Sequence, residues 1–157
     1  MLVASAGSGR ATPITVIIGT AGDRPDDTLR GIGRIAATRA QRVAIKETLN
    51  YLRGRTRESI VGELLAGIRS AGTAAGAAEV PVYETESAAL RAELNGAGGA
   101  HSARTGARPD APRVVVLMCH EQREAVFALL AELGARPIDL SSELTELIPR
   151  LQERPRR

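Results

Sequence analysis

The residues best suited to chemistry near the start of the chain follow directly after an apolar run. The segment ITVIIG, residues 14–19, leads into a turn that carries Gly22, Asp23 and Arg24. Glycine lets the backbone approach a ligand or take a positive φ, and an arginine can clamp a phosphate or carboxylate through two parallel hydrogen bonds. The pattern predicts a site for a charged ligand. It leaves open a simple turn in which the arginine pairs with a following aspartate.

A second basic group follows the next apolar run, RVAIK. Lys46 ends that run, and Arg53 and Arg55 flank a glycine a few residues later. A lysine at the end of a buried strand is unusual, because its charge must reach solvent or a partner. The Arg-Gly-Arg segment is typical of an anion-binding turn, with a solvated basic loop as the alternative.

A third group, Cys119, His120 and Glu121, follows the run RVVVLM. His120 and Glu121 are candidates for ligand contact. Neighbouring residues in an extended chain point to opposite faces, so we do not expect a Cys–His catalytic pair and interpret Cys119 as structural. Two histidines and one cysteine without ligand spacing predict no zinc site.

The elements that position these groups alternate between strand and helix. Apolar, β-branched runs predict strands at residues 14–19, 42–46, 80–84 and 113–118. Each is followed by a segment with helical periodicity. The alternation predicts an α/β fold with three layers: a mainly parallel sheet of about four to five strands, with helices on both faces. Right-handed crossovers place the carboxyl ends of such strands at one edge, where ligands bind.

Polar residues mark the expected helix ends. Asp26 or Asp27 is expected to cap the first helix, and Thr56 to cap the second. Gly72 is expected to close the second helix.

The domain prediction follows from composition along the chain. Residues 1–12 are expected to be a flexible N-terminus, and residues 13–136 an α/β domain. That domain is interrupted by a Gly- and Ala-rich insert at 96–112, which we expect to be disordered. Residues 137–157 are expected to form a short helix and a basic tail, interpreted as solvated rather than as a nucleic-acid-binding arm.

Composition excludes several classes of protein. The chain has 157 residues, a formal net charge of +3, one cysteine and only 2% aromatic residues. So few aromatic side chains do not suit a protein that stacks nucleic-acid bases. A single cysteine excludes an internal disulfide framework and fits a reducing cytoplasm. No apolar run approaches the roughly 20 residues of a membrane helix. We therefore expect neither nucleic acid nor membrane as a partner.

These motifs carry a family likeness. The stretches GTAGDRPDDTLRGIGRIAA, RVAIKE and YLRGR resemble the C-terminal domain of the Mur ligase superfamily, most nearly cyanophycin synthetase and Mur-ligase-like proteins of its type. The stretch VVVLMCHEQ is similar to the family's Gly-Lys-Gly-His-Glu strand, although only His120 and Glu121 match that motif. The likeness covers about residues 14–135, apart from the insert.

The resemblance implies part of an ATP-dependent ligase that joins a carboxylate to an amine, with Mg²⁺ as a further cofactor. Gly22, Asp23 and Arg24 would face the nucleotide and the interdomain cleft. Lys46, Arg53 and Arg55 would lie where the family holds the carboxylate of the incoming amino acid. His120 and Glu121 would line the same pocket. No catalytic residue and no metal ligand is assigned to this chain.

The resemblance also implies a missing partner. The sequence has no Gly-x-x-x-x-Gly-Lys-Ser/Thr phosphate loop, and in the family ATP is bound mainly by a central domain that carries it. We expect the chain alone to be catalytically inactive and to act with a central ligase domain or partner subunit and an amino-acid substrate. It also lacks the segment that opens the family's domain, which leaves a strand edge that a homodimer could cover. The alternative is a stand-alone small-ligand-binding or interaction module without catalysis.

Overall fold

A computed structural model describes residues 13–95 and 114–137. The expectations for residues 1–12, 96–112 and 138–157 lie outside these residues. The chain divides into two compact units, Met1–Val126 and Phe127–Arg157. The sheet and every candidate site residue belong to the first unit. In the second, the described residues are the end of a helix and a turn in which Gly134 has a φ of 73°.

A four-stranded parallel sheet forms the centre of the first unit. Its strands are β1 (Ile14–Ile18), β2 (Arg42–Lys46), β3 (Val82–Tyr83) and β4 (Val114–Leu117). Their spatial order is β3-β2-β1-β4, and every pair is parallel. The chain moves outward from β1 to β3 and then returns to the other side of β1, so a topological switch point lies between β1 and β4. The predicted α/β fold with a parallel sheet is confirmed.

Helices flank the sheet in the three-layer arrangement. They are α1 (Asp26–Arg39), α2 (Arg57–Ser70), α3 (Ala74–Ala77) and α4 (Glu86–Leu94), with a 3₁₀ turn at Leu49–Tyr51. A further helix, α5 (Arg123–Glu132), begins in the first unit and ends in the second.

The two faces of the sheet are covered by different helices. Helices α1, α2 and α3 pack with one face around a core that includes Ile45, Leu64 and Ile68. Successive residues of a strand point to opposite faces, and Lys46, next to Ile45, bonds to α4 on the other face.

The apolar character of β1 follows from this layering. Ile17 and Ile18 are adjacent and both almost fully buried, at 0% and 1% exposure. Only a strand covered on both faces buries consecutive side chains in this way. The continuous apolar run in the sequence predicts a strand covered on both faces. β1 is such a strand, and it lies in the interior of the sheet.

Two of the helix ends predicted from the sequence are observed in the structure, and one is not. Thr56 caps α2, its side chain accepting a hydrogen bond from the Ser59 N–H at 3.2 Å, and Gly72 follows α2 with a φ of 63°. The predicted Asp cap of α1 is wrong: α1 begins at Asp26, and its N-cap is Pro25, which has no side-chain acceptor. The two aspartates lie in the first turn, where their charge still favours the positive end of the helix.

The third strand is shorter than predicted. Pro81 has no N–H to donate to a sheet, and the strand is limited to Val82–Tyr83. The carbonyl of Pro81 nevertheless accepts the N–H of Ile45 at 2.9 Å, which aligns β3 with β2. No helix in the described parts of the chain is long and apolar enough to cross a membrane.

Candidate functional site

Three loops meet at the carboxyl edge of the sheet. The Gly22 N–H donates to the carbonyl of Tyr51 at 2.8 Å, joining the turn after β1 to the loop after β2. The Asn50 N–H donates to Oε1 of Glu121 at 2.9 Å, joining that second loop to the segment after β4. The parallel sheet therefore brings the three predicted groups to one edge, as the sequence indicates.

Gly22 is required at this junction for its size. It is buried, and a Cβ built on it would overlap the carbonyl oxygen of Leu52. Any larger residue must push the turn away from the loop after β2. The glycine of the Gly-Asp-Arg turn therefore holds two loops together, whether or not a ligand approaches the backbone.

Lys46 and Glu86 form a buried ion pair beneath this edge. The two side chains are 0% and 1% exposed, and Lys46 Nζ lies 2.5 Å from Oε1 of Glu86. Lys46 is at the end of β2 and Glu86 is the first residue of α4. The sequence predicts that the charge of Lys46 must reach solvent or a partner, and in the structure that partner is the carboxylate of Glu86. The contact with the carboxylate of an incoming amino acid, which the resemblance implies, stays a prediction. With no exposed side-chain surface, Lys46 does not itself present a binding group to a ligand in this conformation.

The carboxylate of Glu86 is also held by the segment after β4. Backbone N–H groups donate to it from His120 at 2.5 Å, Glu121 at 3.1 Å and Gln122 at 2.8 Å. Burial raises the pKa of Glu86, but the hydrogen bonds from Lys46, from Cys119 and from the N–H groups of His120 and Gln122 outweigh burial and lower the pKa to about 2. Glu86 is therefore a buried anion that shapes the β4–α5 loop.

His120 contacts the ion pair from the solvent side. Its Nδ1 lies 3.0 Å from Lys46 Nζ and 3.0 Å from the carbonyl oxygen of Met118. The side chain is 40% exposed. His120 is therefore the group through which the buried pair reaches the surface of the candidate site.

Cys119 is tied to the same carboxylate. Its thiol donates to Oε2 of Glu86 at 3.0 Å. Partial burial raises the pKa of the Cys119 thiol, and the hydrogen bond to Glu86 raises it further, to about 11. A thiol that stays protonated is a poor nucleophile, which agrees with the structural role predicted for this residue.

The remaining predicted residues lie on the outer surface of the joined loops. Arg24 is 61% exposed, and its Nε lies 3.9 Å from Oδ1 of Asp23. The guanidinium of Arg53 lies over the ring of Tyr51, 5.4 Å from its centroid. Arg55 bonds to Asp26, so the predicted pairing of an arginine with an aspartate of α1 involves Arg55 and not Arg24.

Arg53 has a further property that the sequence does not show. Its φ is 50°, in the left-handed region, and it is followed by Gly54 with a φ of 85°. Two successive left-handed residues turn the chain sharply. The turn presents the exposed Arg53 at the carboxyl edge of the sheet.

Sequence reasoning misses Glu86, the central residue of this site. One signal points toward it: a lysine ending a buried strand needs a carboxylate partner. The sequence offers many carboxylates, and Glu86, 40 residues further along, is identified only when α4 is placed against β2.

The interior beside the site is closely filled. A cavity between β2 and α2, bordered by Thr48, Leu52 and Ile60, has a volume of about 10 Å³. This is about the space of a single water molecule. The described part of the site is thus an open surface above a buried ion pair, and this cavity is too small for a nucleotide or an amino acid.

Comparisons with protein-family models, with curated proteins and with solved structures found no match.

Proposed function

We propose that this chain is the C-terminal, substrate- and nucleotide-closing domain of an ATP-dependent carboxylate–amine ligase of the Mur ligase and cyanophycin synthetase type. The proposal starts from the Gly-Asp-Arg turn and the Leu-Arg-Gly-Arg loop in the sequence. The observation that carries it is the hydrogen bond between Gly22 and Tyr51, which joins these two motifs at the carboxyl edge of the sheet.

The open shape of the site supports a shared role. Arg24 and Arg53 are exposed on joined loops, while the cavity beside β2 holds no more than about one water. A domain that closes over a ligand held elsewhere needs charged groups on its surface and no deep pocket of its own. Such groups suit a phosphate or a carboxylate through paired hydrogen bonds.

The described residues fit ATP and Mg²⁺ unequally. Arg24 is suited to a phosphate, but no group of three or more histidine, cysteine or acidic residues within 13–95 and 114–137 could hold a metal ion. The phosphate loop and the Mg²⁺ ligands would come from the central domain or partner subunit. In this proposal the ligase activity belongs to the assembly.

Purification of the tagged chain from its own cells, followed by an ADP-release assay, tests the proposal. We expect a protein with a Gly-Lys-Ser/Thr loop to copurify, and ADP formation to require ATP, an amino acid and this chain together. If a phosphate-loop partner is absent, or if it forms ADP equally well without the chain, the ligase role is wrong.

The alternative, a stand-alone binding module, gives a different result. Calorimetry on the isolated chain with ATP, aspartate and arginine would show binding by a self-sufficient module. The ligase proposal predicts weak or no heat from the chain alone and a clear signal from the assembly. A tight complex with the isolated chain, without any partner, would favour the module.

A further inference from the structure

Two contacts compete for one nitrogen of His120. Nδ1 lies 3.0 Å from the ammonium of Lys46, which can only donate, and 3.0 Å from the carbonyl of Met118, which can only accept. A neutral imidazole has one protonated nitrogen and one free lone pair. Nδ1 therefore satisfies one of these partners and not both.

The partner that wins is decided by charge. The ammonium of Lys46 is buried in an ion pair with Glu86, with Nζ 2.5 Å from Oε1. The same carboxylate oxygen lies 3.9 Å from Nδ1 of His120, farther away than the ammonium at 3.0 Å. A hydrogen bond from a charged donor is about twice as strong as one between neutral groups. A proton on Nδ1 would face the ammonium protons at 3.0 Å, whereas a lone pair there accepts one of them.

We propose that the buried Lys46–Glu86 pair holds neutral His120 in the tautomer protonated at Nε2. That nitrogen points away from the buried ammonium, on a ring that is 40% exposed. Within residues 13–95 and 114–137, Nε2 has no hydrogen-bond partner. His120 therefore presents a neutral N–H donor to the candidate site, suited to a phosphate, carboxylate or carbonyl oxygen. Lys46 and Glu86 are positioning residues that act through it.

The ligand part of this inference rests on the proposed function, but the tautomer does not. Its preference is a property of Lys46, Glu86, Met118 and His120 in this chain. If the chain proves not to be part of a ligase, His120 can still be protonated at Nε2. If His120 proves to be protonated at Nδ1, the chain can still be part of a ligase. The two proposals therefore fail separately.

Nitrogen NMR on the full chain tests the tautomer directly. The sequence has two histidines, His101 and His120, so ¹⁵N-histidine labelling gives two rings, and His101→Gln assigns them. At about pH 8, where an ordinary histidine is neutral, we expect His120 to be protonated at Nε2 by roughly tenfold over Nδ1. A wild-type spectrum with the proton on Nδ1 would overturn the inference without any variant.

Removal of the ammonium provides the second arm. Lys46 is the only lysine in the sequence. The double variant Lys46→Met with Glu86→Gln replaces the ion pair by neutral side chains of similar size. Without the ammonium, Nδ1–H donates to Met118 and the preferred tautomer reverses.

A control variant removes a cation elsewhere in the chain. Arg39→Gln, at the last residue of α1, should leave the tautomer of His120 unchanged. A double variant that folds but keeps the wild-type tautomer would show that the Lys46–Glu86 pair does not set it.

Discussion

At Glu86 a single side chain joins three separate parts of the molecule. It belongs to α4, pairs with Lys46 at the end of β2, and accepts backbone hydrogen bonds from the segment after β4. Breaking a buried ion pair from one side leaves an uncompensated charge. Glu86 is therefore the residue on which the shape of the site most depends.

Glu86 gives the fold a specific dependence on acid. Its pKa falls from an ordinary 4.5 to about 2 in the folded chain. A depressed pKa stabilises the fold above the unfolded-state pKa, and the contribution is lost as the pH falls from about 4.5 through about 2. The shift corresponds to on the order of 3 kcal/mol of unfolding free energy at neutral pH.

We therefore expect Glu86→Gln to lower the unfolding free energy at pH 7 by roughly 3 kcal/mol or more, and to flatten its fall between about pH 4.5 and about pH 2. Urea denaturation across that range measures both effects. Glu79→Gln, at an exposed position, is the matched control. A Glu86→Gln profile parallel to the wild type would contradict the assignment.

Cys119 gives a second prediction at this scale. Its pKa of about 11, against 9.0 for an ordinary thiol, leaves about a hundredfold less thiolate. The more basic thiolate is the better nucleophile, which offsets about tenfold of this loss. We expect alkylation by iodoacetamide at about pH 8 to be roughly tenfold slower in the native chain than in the urea-denatured chain.

Cys119 is an exposed residue, but its thiol is partly buried against Glu86, so a variant of Glu86 is needed to separate the effect of the carboxylate from that of access. Glu86→Gln should bring the native rate closer to the denatured one. Equal rates for native and denatured wild-type chains would show that Glu86 does not hold the thiol protonated.

The sequence predicts single residues at this site but not their partners. Lys46 stands out because a charge at the end of an apolar strand needs a partner. That partner is 40 residues away, and the three N–H donors to Glu86 belong to the backbone, which carries no residue-specific signal. The left-handed φ of Arg53 is equally hidden, since most non-glycine residues avoid that region.

At the scale of elements, a close crossing of α1 and α2 covers one face of the sheet. Gly33 of α1 and Gly67 of α2 lie at the contact: a Cβ on Gly67 would overlap the carbonyl of Arg30, and a Cβ on Gly33 the carbonyl of Leu64. The helices therefore approach each other backbone to backbone. This contact fixes α1, whose first turn follows the Gly-Asp-Arg turn.

We expect Gly67→Ala to destabilise the fold by roughly 2 kcal/mol or more, because the overlap is with backbone and the helices must separate. Gly62, in the same helix, has no atom within 4 Å of the position that an added Cβ would take. Gly62→Ala should instead stabilise by up to about 1 kcal/mol through helix propensity. Thermal unfolding of both variants gives the comparison, and equal shifts would exclude a close crossing.

Elements were predictable where periodicity was strong. The runs that form β1, β2 and β4 are apolar and β-branched, and such runs indicate buried strands. The prediction for β3 is too long because Pro81 interrupts the pairing pattern, and the predicted cap of α1 is wrong because Pro25 already occupies the N-cap position. Capping by Thr56 was predictable because its hydroxyl acts within three residues of sequence.

At the scale of the whole molecule, the order β3-β2-β1-β4 decides which loops are neighbours at the carboxyl edge of the sheet. It places β1 between β2 and β4, so the strand next to the Gly-Asp-Arg turn is paired on both sides. Within residues 13–95 and 114–137, β1 is therefore an inner strand, and the edge strands of the sheet are β3 and β4. The carboxyl edge carries exposed arginines, and the amino edge, where α1 ends at Arg39, lies roughly 20 Å away along that helix.

The kinetic role of Arg53 tests the account most directly. In the proposed ligase assembly, initial rates of ADP formation are measured against the concentration of the incoming amino acid for the wild type, Arg53→Ala and Arg39→Ala. A carboxylate contact present in both ground and transition states is uniform binding. We predict that Arg53→Ala raises the apparent KM for the amino acid by roughly tenfold or more with kcat little changed, while Arg39→Ala matches wild type. An Arg53→Ala enzyme with an unchanged KM would contradict the placement of the substrate site at this edge.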